Sequence, residues 1–164
     1  MNEIILILGL PGSGKSTLAK KVSEKYGHFL YDFDDHIPSF MKEKMLKGEI
    51  ITEEDRLSCT KILIEDLKKV SSNRKVVCAC TLIKENHRKL VLTELKHVIF
   101  YYLAVDYNVL LARLEKRNNH FFNRNLLERI IKMNEQFNIK HHIIDANRDE
   151  SSVFSQFNQL FSLV

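Results

Sequence analysis

The fold of this chain is decided by eight residues, Gly9-Leu10-Pro11-Gly12-Ser13-Gly14-Lys15-Ser16, which match the pattern GxxxxGK[ST]. An apolar run typical of a buried strand, Ile4–Leu8, precedes them, and a stretch of helical character over 16–26 follows. Glycines let backbone N–H groups approach an anion closely, and the helix turns its positive end toward the same anion. The segment therefore predicts a phosphate-binding loop for a nucleoside triphosphate rather than a glycine-rich turn without a ligand.

Individual loop residues have distinct expected roles. Lys15 is predicted to reach the β- and γ-phosphates and to be catalytic, and the Ser16 hydroxyl is predicted to ligate Mg²⁺. The nucleotide-binding residues predicted here are Gly9, Pro11, Gly12, Ser13, Gly14, Lys15, Ser16 and Thr17.

Strand and helix patterns alternate along the rest of the chain. The further strand candidates are Phe29–Asp32, Val76–Cys80, Val98–Val105 and Ile143–Asp145. Helices are predicted over 36–47, 52–70, 84–95, 107–117, 124–137 and from 150 to the C-terminus, with a loop over 118–123. This order predicts an α/β P-loop NTPase, with a parallel sheet, helices on both faces and a single domain over 1–164.

Charge and composition narrow the possible partners. The net charge of +4 is too small to imply nucleic acid, and no stretch approaches the apolar length of a membrane span. The first apolar run is short and follows Glu3, which argues against a signal peptide. Three cysteines, Cys59, Cys78 and Cys80, without CxxC spacing favour buried, inert thiols and a reducing cytoplasm over a disulfide framework or zinc site.

Acidic residues cluster where the second strand ends. Asp32, Asp34 and Asp35 lie there, and ligands of parallel sheets bind beyond these strand ends. Since the strand 76–80 runs into Thr81 rather than an aspartate, the metal-side carboxylate must come from elsewhere, and Asp32 or Asp34 is nearest by topology. Asp32 is predicted to bind the metal, and Asp34 to orient the acceptor hydroxyl and take its proton. The alternative is that these residues cap the following helix.

A basic segment over about 113–129 is predicted to form a short lid. Arg113 and Arg117 lie one helical turn apart on one face, and Lys116, Arg124 and Arg129 add positive charge. Such a segment can fold over a triphosphate and supply positive charge to the transition state, so both arginines are predicted to bind phosphates and Arg117 to be catalytic. The alternative is a solvated basic helix face.

Several segments together resemble the gluconate kinase family, which is close to the shikimate kinases. They span about Ile4 to Val153 and comprise Asp32-Phe33-Asp34-Asp35, Lys44-Met45, Gly48, Glu53-Glu54-Asp55-Arg56, Ala79-Cys80-Thr81 with Lys84 and Arg88, Leu111-Ala112-Arg113 with Arg117 and His120-Phe121, and Asp145-Ala146-Asn147. The resemblance implies ATP and Mg²⁺ as cofactors and a small anionic acceptor, with gluconate converted to 6-phosphogluconate. Gluconate kinases are commonly dimers, so the resemblance is compatible with a homodimer, although no exposed apolar stripe in the sequence independently requires one.

The resemblance assigns further residues to the site. Asp34, Arg56, Lys84 and Arg88 would face the sugar acid and the transferred phosphoryl group, and Asn147 would lie in the loop on the adenine side. A pair of cations suits an acceptor that carries a carboxylate.

Departures from the family pattern fall on the acceptor side. His36 is displaced by one residue from the usual histidine, and Met41 replaces an asparagine. His36 is predicted to serve the acceptor from a shifted turn, and the alternative is a plain surface histidine. Phe122-Asn123 replaces Met-Pro, and Arg129-Ile130-Ile131 replaces Ser-Gln-Phe. A shikimate kinase, another small-metabolite or nucleoside kinase, and an NTP-binding module that regulates or processes RNA ends therefore remain alternatives.

Overall fold

The computed structural model describes residues 2–116 and 124–163. Its strands are β1 (Ile4–Gly9), β2 (Phe29–Asp32), β3 (Val76–Cys80), β4 (Val98–Ala104) and β5 (His142–Asp145). Its α-helices are α1 (Lys15–Tyr26), α2 (Ser39–Lys47), α3 (Glu53–Ser71), α4 (Glu85–Glu94), α5 (Tyr107–Glu115), α6 (Arg124–Met133) and α7 (Glu150–Phe161), and a 3₁₀ helix covers Phe33–His36.

The strands form one parallel sheet in the order β2-β3-β1-β4-β5. The residues of β1 are buried on both faces, and alternate side chains point to opposite layers. Ile4, Leu6 and Leu8 pack with side chains of α3 and α4, whereas Ile5 and Ile7 pack with side chains of α1 and α7. The predicted parallel sheet with helices on both faces is thus confirmed.

Local signals explain where the helices begin and end. Gly14 precedes α1 with φ of 95° and Gly27 follows it with φ of 70°, conformations that cost glycine little. Thr52 begins α3 with the predicted capping box, in which its side chain and that of Asp55 each accept a backbone hydrogen bond.

Two predicted helices are shorter in the structure. The helix predicted over 36–47 begins at Ser39, because the 3₁₀ turn comes first and Pro38 stands at the N-cap. The helix predicted over 124–137 ends at Met133, because the Glu135 amide donates instead to the Ile83 carbonyl oxygen at 2.8 Å. A hydrogen bond to a residue that is distant in the sequence therefore determines where α6 ends.

The three cysteines are buried and carry free thiols, as predicted. Burial raises the pKa of the Cys78 thiol on β3, so it stays protonated and unreactive at neutral pH. Within the described ranges, no helix has the length and apolar character needed to cross a lipid bilayer.

Candidate active site

The loop between β1 and α1 is stabilised by hydrogen bonds within itself. Gly12 and Gly14 adopt positive φ values of 83° and 95°, and the Ser13 amide donates to the Leu10 carbonyl oxygen at 3.1 Å. Lys15 is only 7% exposed, and its Nζ donates to the same carbonyl oxygen at 3.2 Å. The lysine side chain thus folds back over the loop whose bound phosphates its ammonium is predicted to contact.

Tight packing around Gly9 fixes the start of this loop. A Cβ atom at Gly9 would collide with the Ser13 Oγ and lie 3.3 Å from the Leu103 Cβ. Thr81, which follows β3, donates its hydroxyl to the Gly9 carbonyl oxygen at 3.2 Å. The Ser13 hydroxyl is buried without a hydrogen-bond partner among the described residues. A side chain at position 9 would therefore force the Ser13 side chain to move.

The first turn of α1 leaves donors available. The first N–H groups of a helix have no partner within it, and here these belong to residues beside Gly14. Ser16 is exposed, Thr17 is half-buried, and Pro11 in the loop is half-buried. Backbone amides, a buried ammonium and an exposed hydroxyl thus converge at one helix end, which suits a phosphate chain.

A cavity of about 310 Å³ extends from the loop toward the start of α7. It is lined on one side by Gly12, Ser13, Gly14, Thr17, Leu18 and Lys21, and on the other by Arg113, Lys116, Ala146, Arg148, Asp149, Glu150 and Val153. An ion pair of 3.1 Å between Lys21 and Glu150 joins the two sides. The cavity is of a size suited to a nucleoside.

Arg113 and Asn147 hold the loop between β5 and α7 against α5. Arg113 donates to the Ala146 carbonyl oxygen at 2.8 Å, and the Asn147 Oδ1 accepts from the Asp106 amide at 2.8 Å. Arg113 therefore lies beside the predicted adenine-side loop. Arg117 and the predicted loop 118–123 lie outside the described residues.

The carboxylates after β2 are held in different ways. The Asp32 Oδ1 accepts from the Asp34 amide at 3.1 Å, so Asp32 caps the 3₁₀ helix, while the Asp34 and Asp35 side chains are exposed. His36 stacks on Tyr31 at 4.3 Å between ring centroids, and its Nδ1 lies 2.8 Å from the Asp32 carbonyl oxygen. His36 thus packs on β2 instead of reaching away from it.

Arg56 is a half-buried cation on α3. Its guanidinium contacts the Met133 Sδ at 4.0 Å, and burial lowers the pKa of Arg56 although the nearby carboxylates Glu53 and Asp55 oppose that effect. Hydrogen bonds within the described residues use only this one donor group of Arg56. A cation desolvated in this way can bind an anion strongly.

Arg88 does not lie where the sequence predicted it, and this prediction is corrected. The side chain is fully buried. It donates to Glu85 at 2.7 Å, to the Leu82 carbonyl oxygen at 2.7 Å and to two carbonyl oxygens at 135–136, and it lies 3.8 Å from the Phe137 ring centroid. A guanidinium engaged in this way supports the protein interior and does not face an acceptor.

Lys84 has a partner that the sequence did not reveal. Its Nζ donates to the Glu135 Oε1 at 2.9 Å. The sequence pattern also did not predict a role for His87, which is buried with its Nε2 3.0 Å from the Glu53 Oε1. The same pattern predicts a helix at Glu135, and a lone histidine at a helical position carries no local signal of its contacts. Both contacts join distant segments, so the sequence pattern could not have identified them.

In the described part of the chain, no cluster of three or more His, Cys, Asp or Glu side chains could hold a metal ion. Mg²⁺ in nucleotide sites needs few protein ligands, since phosphates and waters supply the others. The exposed Ser16 hydroxyl and the Asp32 Oδ2, which makes no hydrogen bond within the described residues, fit that requirement.

Comparisons with known proteins agree with this architecture. The family model for shikimate kinase matches residues 11–161. A probable gluconokinase of Schizosaccharomyces pombe is 32% identical over 76% of this chain and 68% of its own length. The thermoresistant gluconokinase of Escherichia coli is 30% identical over 77% of this chain and 73% of its own length.

The fold is shared with solved structures. A sugar kinase from Janibacter superposes with a TM-score of 0.88 at 20% identity, covering 100% of this chain and 96% of that one. At this identity the likeness establishes the P-loop kinase fold. Together with the sequence relatives, it shows that this chain belongs to the gluconokinase family within the shikimate-kinase-like P-loop kinases and is an ATP-dependent phosphotransferase.

Proposed function

We propose that the protein transfers the γ-phosphoryl group of ATP to a hydroxyl of a sugar acid, gluconate, and forms 6-phosphogluconate. The observation that carries this proposal is the phosphate-binding loop with its buried Lys15, placed in a chain whose sequence relatives are named gluconokinases. The nucleotide lies with its phosphates on the loop and its base in the cavity beside Ala146 and Asn147. Arg113 holds the wall of that cavity through the Ala146 carbonyl oxygen.

Mg²⁺ fits this site through Ser16 and Asp32, and bound there it would neutralise charge on the β- and γ-phosphates. Lys15 adds positive charge on the protein side of the same phosphates. Arg117 is proposed to add a further cation from the lid. These groups stabilise the charge that develops on the transferred group, which is the main requirement of phosphoryl transfer.

The acceptor lies between Asp34, Arg56 and Lys84. The half-buried Arg56 binds the carboxylate of the sugar acid, since an arginine fork matches a carboxylate in geometry and charge. Asp34 orients the acceptor hydroxyl and takes its proton as the new oxygen–phosphorus bond forms. The bond from the γ-phosphorus to the bridging oxygen breaks, and ADP leaves with the electron pair.

A second candidate acceptor is shikimate, because the matching family model is that of shikimate kinase. Gluconate and shikimate are both hydroxylated carboxylates, so the same half-buried arginine suits either. They differ in shape, since one is an open chain and the other a ring. Acceptor assays separate them directly.

The test is ADP release with Mg²⁺-ATP in the presence of gluconate, shikimate, nucleosides or RNA 5′ ends. Gluconate is expected to be turned over, and Lys15→Ala to lower the rate by about a hundredfold or more. Lys20→Ala, which changes an exposed lysine on α1, is the matched control and should keep wild-type activity. Turnover without an acceptor, or with nucleic acid alone, would contradict the proposal.

A further inference from the structure

Two loops meet at Lys84. The first, 81–84, joins β3 to α4 and contacts the phosphate-binding region through Thr81, which donates to the Gly9 carbonyl oxygen at 3.2 Å. The second, 134–138, follows α6. Their backbones are joined because the Glu135 amide donates to the Ile83 carbonyl oxygen at 2.8 Å. The end of α6 is therefore tied to the loop that carries Lys84.

Two buried side chains fix the second loop in place. Arg88 donates to the carbonyl oxygens of Glu135 and Gln136, each at 2.9 Å. Glu85, which pairs with Arg88 at 2.7 Å, accepts from the Asn138 amide at 3.1 Å through its other oxygen. Because Arg88 is fully buried and Glu85 nearly so, these contacts are shielded from solvent and hold residues 135–138 firmly.

The Glu135 carboxylate is held at both oxygens. Oε2 accepts from the Glu85 amide at the start of α4 at 2.8 Å, and Oε1 accepts from the Lys84 Nζ at 2.9 Å. The hydrogen bond from the Glu85 amide and then that from Lys84 lower the pKa of Glu135. The carboxylate is thus ionised at neutral pH and fixed relative to α4.

Lys84 directly precedes α4, which contacts the part of α3 that carries Arg56. The Nδ1 of His87 on α4 lies 3.3 Å from the Thr60 hydroxyl on α3, and that hydroxyl donates to the Arg56 carbonyl oxygen at 2.9 Å. The Lys84 side chain is 23% exposed, so part of it is open to solvent. Of the three N–H donors of that ammonium, hydrogen bonds within the described residues use one, the bond to Glu135.

We propose that Glu135 is a positioning residue, whose fixed carboxylate holds the Lys84 ammonium so that its two remaining donors meet the anionic acceptor. This inference rests on the proposed function, in which Lys84 binds the acceptor. A lysine without a partner samples many rotamers and loses that freedom when a ligand binds. Glu135 removes part of this cost before the acceptor arrives.

The negative charge of Glu135 also has an effect that opposes acceptor binding. The Glu135 carboxylate also repels an anionic acceptor, but it is paired with Lys84 and half-exposed, so the repulsion is weak. Glu135→Gln keeps an amide oxygen for the Glu85 N–H and turns its NH₂ group toward Lys84. The variant therefore keeps the loop anchored while it releases the lysine.

The experiment compares the wild type, Glu135→Gln, Lys84→Met and the double variant in steady-state assays with gluconate and ATP. Glu135→Gln is expected to raise the KM for gluconate about five- to tenfold, with the KM for ATP and the melting temperature unchanged. In the Lys84→Met background, Glu135→Gln should have no further effect. Glu94→Gln, which breaks the exposed pair with Lys68 between α3 and α4, is the matched control and should change neither KM.

The results of these assays distinguish a failure of the Glu135 positioning role from a failure of the proposed phosphorylation of gluconate. An unchanged or lowered KM for gluconate in Glu135→Gln would overturn the positioning role, as would a parallel rise in the KM for ATP. A full additional effect in the Lys84→Met background would overturn it too. If the wild type uses shikimate or another sugar acid but not gluconate, the proposed function fails, and the same four proteins test Glu135 with that acceptor. No turnover of any anionic acceptor would overturn both.

Discussion

Lys44 on α2 donates hydrogen bonds to both carboxylate oxygens of Asp55 on α3, at 2.8 and 2.7 Å. The same carboxylate accepts from the Thr52 amide at 2.8 Å and so completes the cap of α3. This pair links α2, a helix with no fully buried residues, to α3. It also fixes the first turn of α3, where Arg56 follows Asp55.

The pair of Lys44 and Asp55 makes the stability of the folded protein depend on pH. Hydrogen bonds from Lys44 and Thr52 lower the pKa of Asp55 to about 2. A depressed carboxylate pKa stabilises the folded state above the unfolded pKa of about 4, and this contribution is lost as the pH falls toward about 2. Asp55→Asn should therefore melt at a lower temperature than the wild type at neutral pH, and the difference should shrink toward about pH 3.

Thermal melts of both proteins across that range check this prediction. Asp35→Asn serves as the control, since Asp35 is exposed in the same acidic segment before α2 and takes no part in the cap. A difference between wild type and Asp55→Asn that stays constant with pH would contradict the assigned pKa.

The nucleotide side of the site could be predicted from the sequence because its signals are local. The motif over 9–16, the apolar run before it and the glycine after α1 each act within a few residues, and together they determine the loop and its helix. The strands β1 and β3 are buried on both faces, which leaves continuous apolar runs in the sequence. The edge strands β2 and β5 are only partly buried and carry shorter apolar runs. The capping box at Thr52 is also a four-residue pattern.

The acceptor side depends on contacts between distant segments, which a pattern cannot supply. Arg88 matched a family segment, yet its partners at 135–136 lie 47 and 48 residues away, and they turn it into the core. The hydrogen bond from the Glu135 amide to the Ile83 carbonyl oxygen, also between distant segments, ends α6 earlier than helical periodicity predicted. His87 and Glu135 were missed because an isolated titratable side chain carries no signal of what it meets.

Gly9→Ala should impair nucleotide binding because the added Cβ collides with the Ser13 Oγ. The backbone at Gly9 does not need a positive φ, so the effect is steric. Overpacking of this kind costs about 1–3 kcal/mol, and the KM for ATP is expected to rise as the loop shifts.

Removal of the Ser13 Oγ tests whether the collision causes the loss of ATP binding in Gly9→Ala. Ser13→Ala alone should stay close to the wild type, since its hydroxyl is buried without a partner among the described residues. The double variant Gly9→Ala/Ser13→Ala should recover part of the lost melting temperature and ATP affinity. No recovery would mean that the collision is not the cause.

Arg113→Ala should raise the KM for ATP about tenfold, because one charge-assisted hydrogen bond to the Ala146 carbonyl oxygen is lost. Without that bond, the loop between β5 and α7 is held less firmly against α5, although the contact of Asn147 with Asp106 remains, and the wall of the base cavity loses support. Arg113→Lys retains the charge but not the planar fork, so its KM should be intermediate. The KM for the acceptor should stay unchanged, and equal rises in both KM values would contradict a role on the nucleotide side.

Arg56→Met should separate function from stability. The guanidinium is desolvated on α3, and burial lowers its pKa, so the cation costs free energy in the folded protein without its anionic ligand. Methionine fills a similar volume next to Met133 without that cost, and the melting temperature should therefore stay the same or rise. The KM for the acceptor should rise about thirtyfold or more, because the carboxylate loses a buried charged partner.

Arg56→Lys distinguishes charge from geometry at this position. A lysine keeps the charge but cannot form the bidentate contact, so its acceptor KM should lie between those of the wild type and Arg56→Met. Added gluconate should raise the melting temperature of the wild type and leave that of Arg56→Met unchanged, since only a bound acceptor stabilises the folded state. A lower melting temperature in Arg56→Met with an unchanged acceptor KM would mean that Arg56 supports α3 and α6 instead of binding the acceptor.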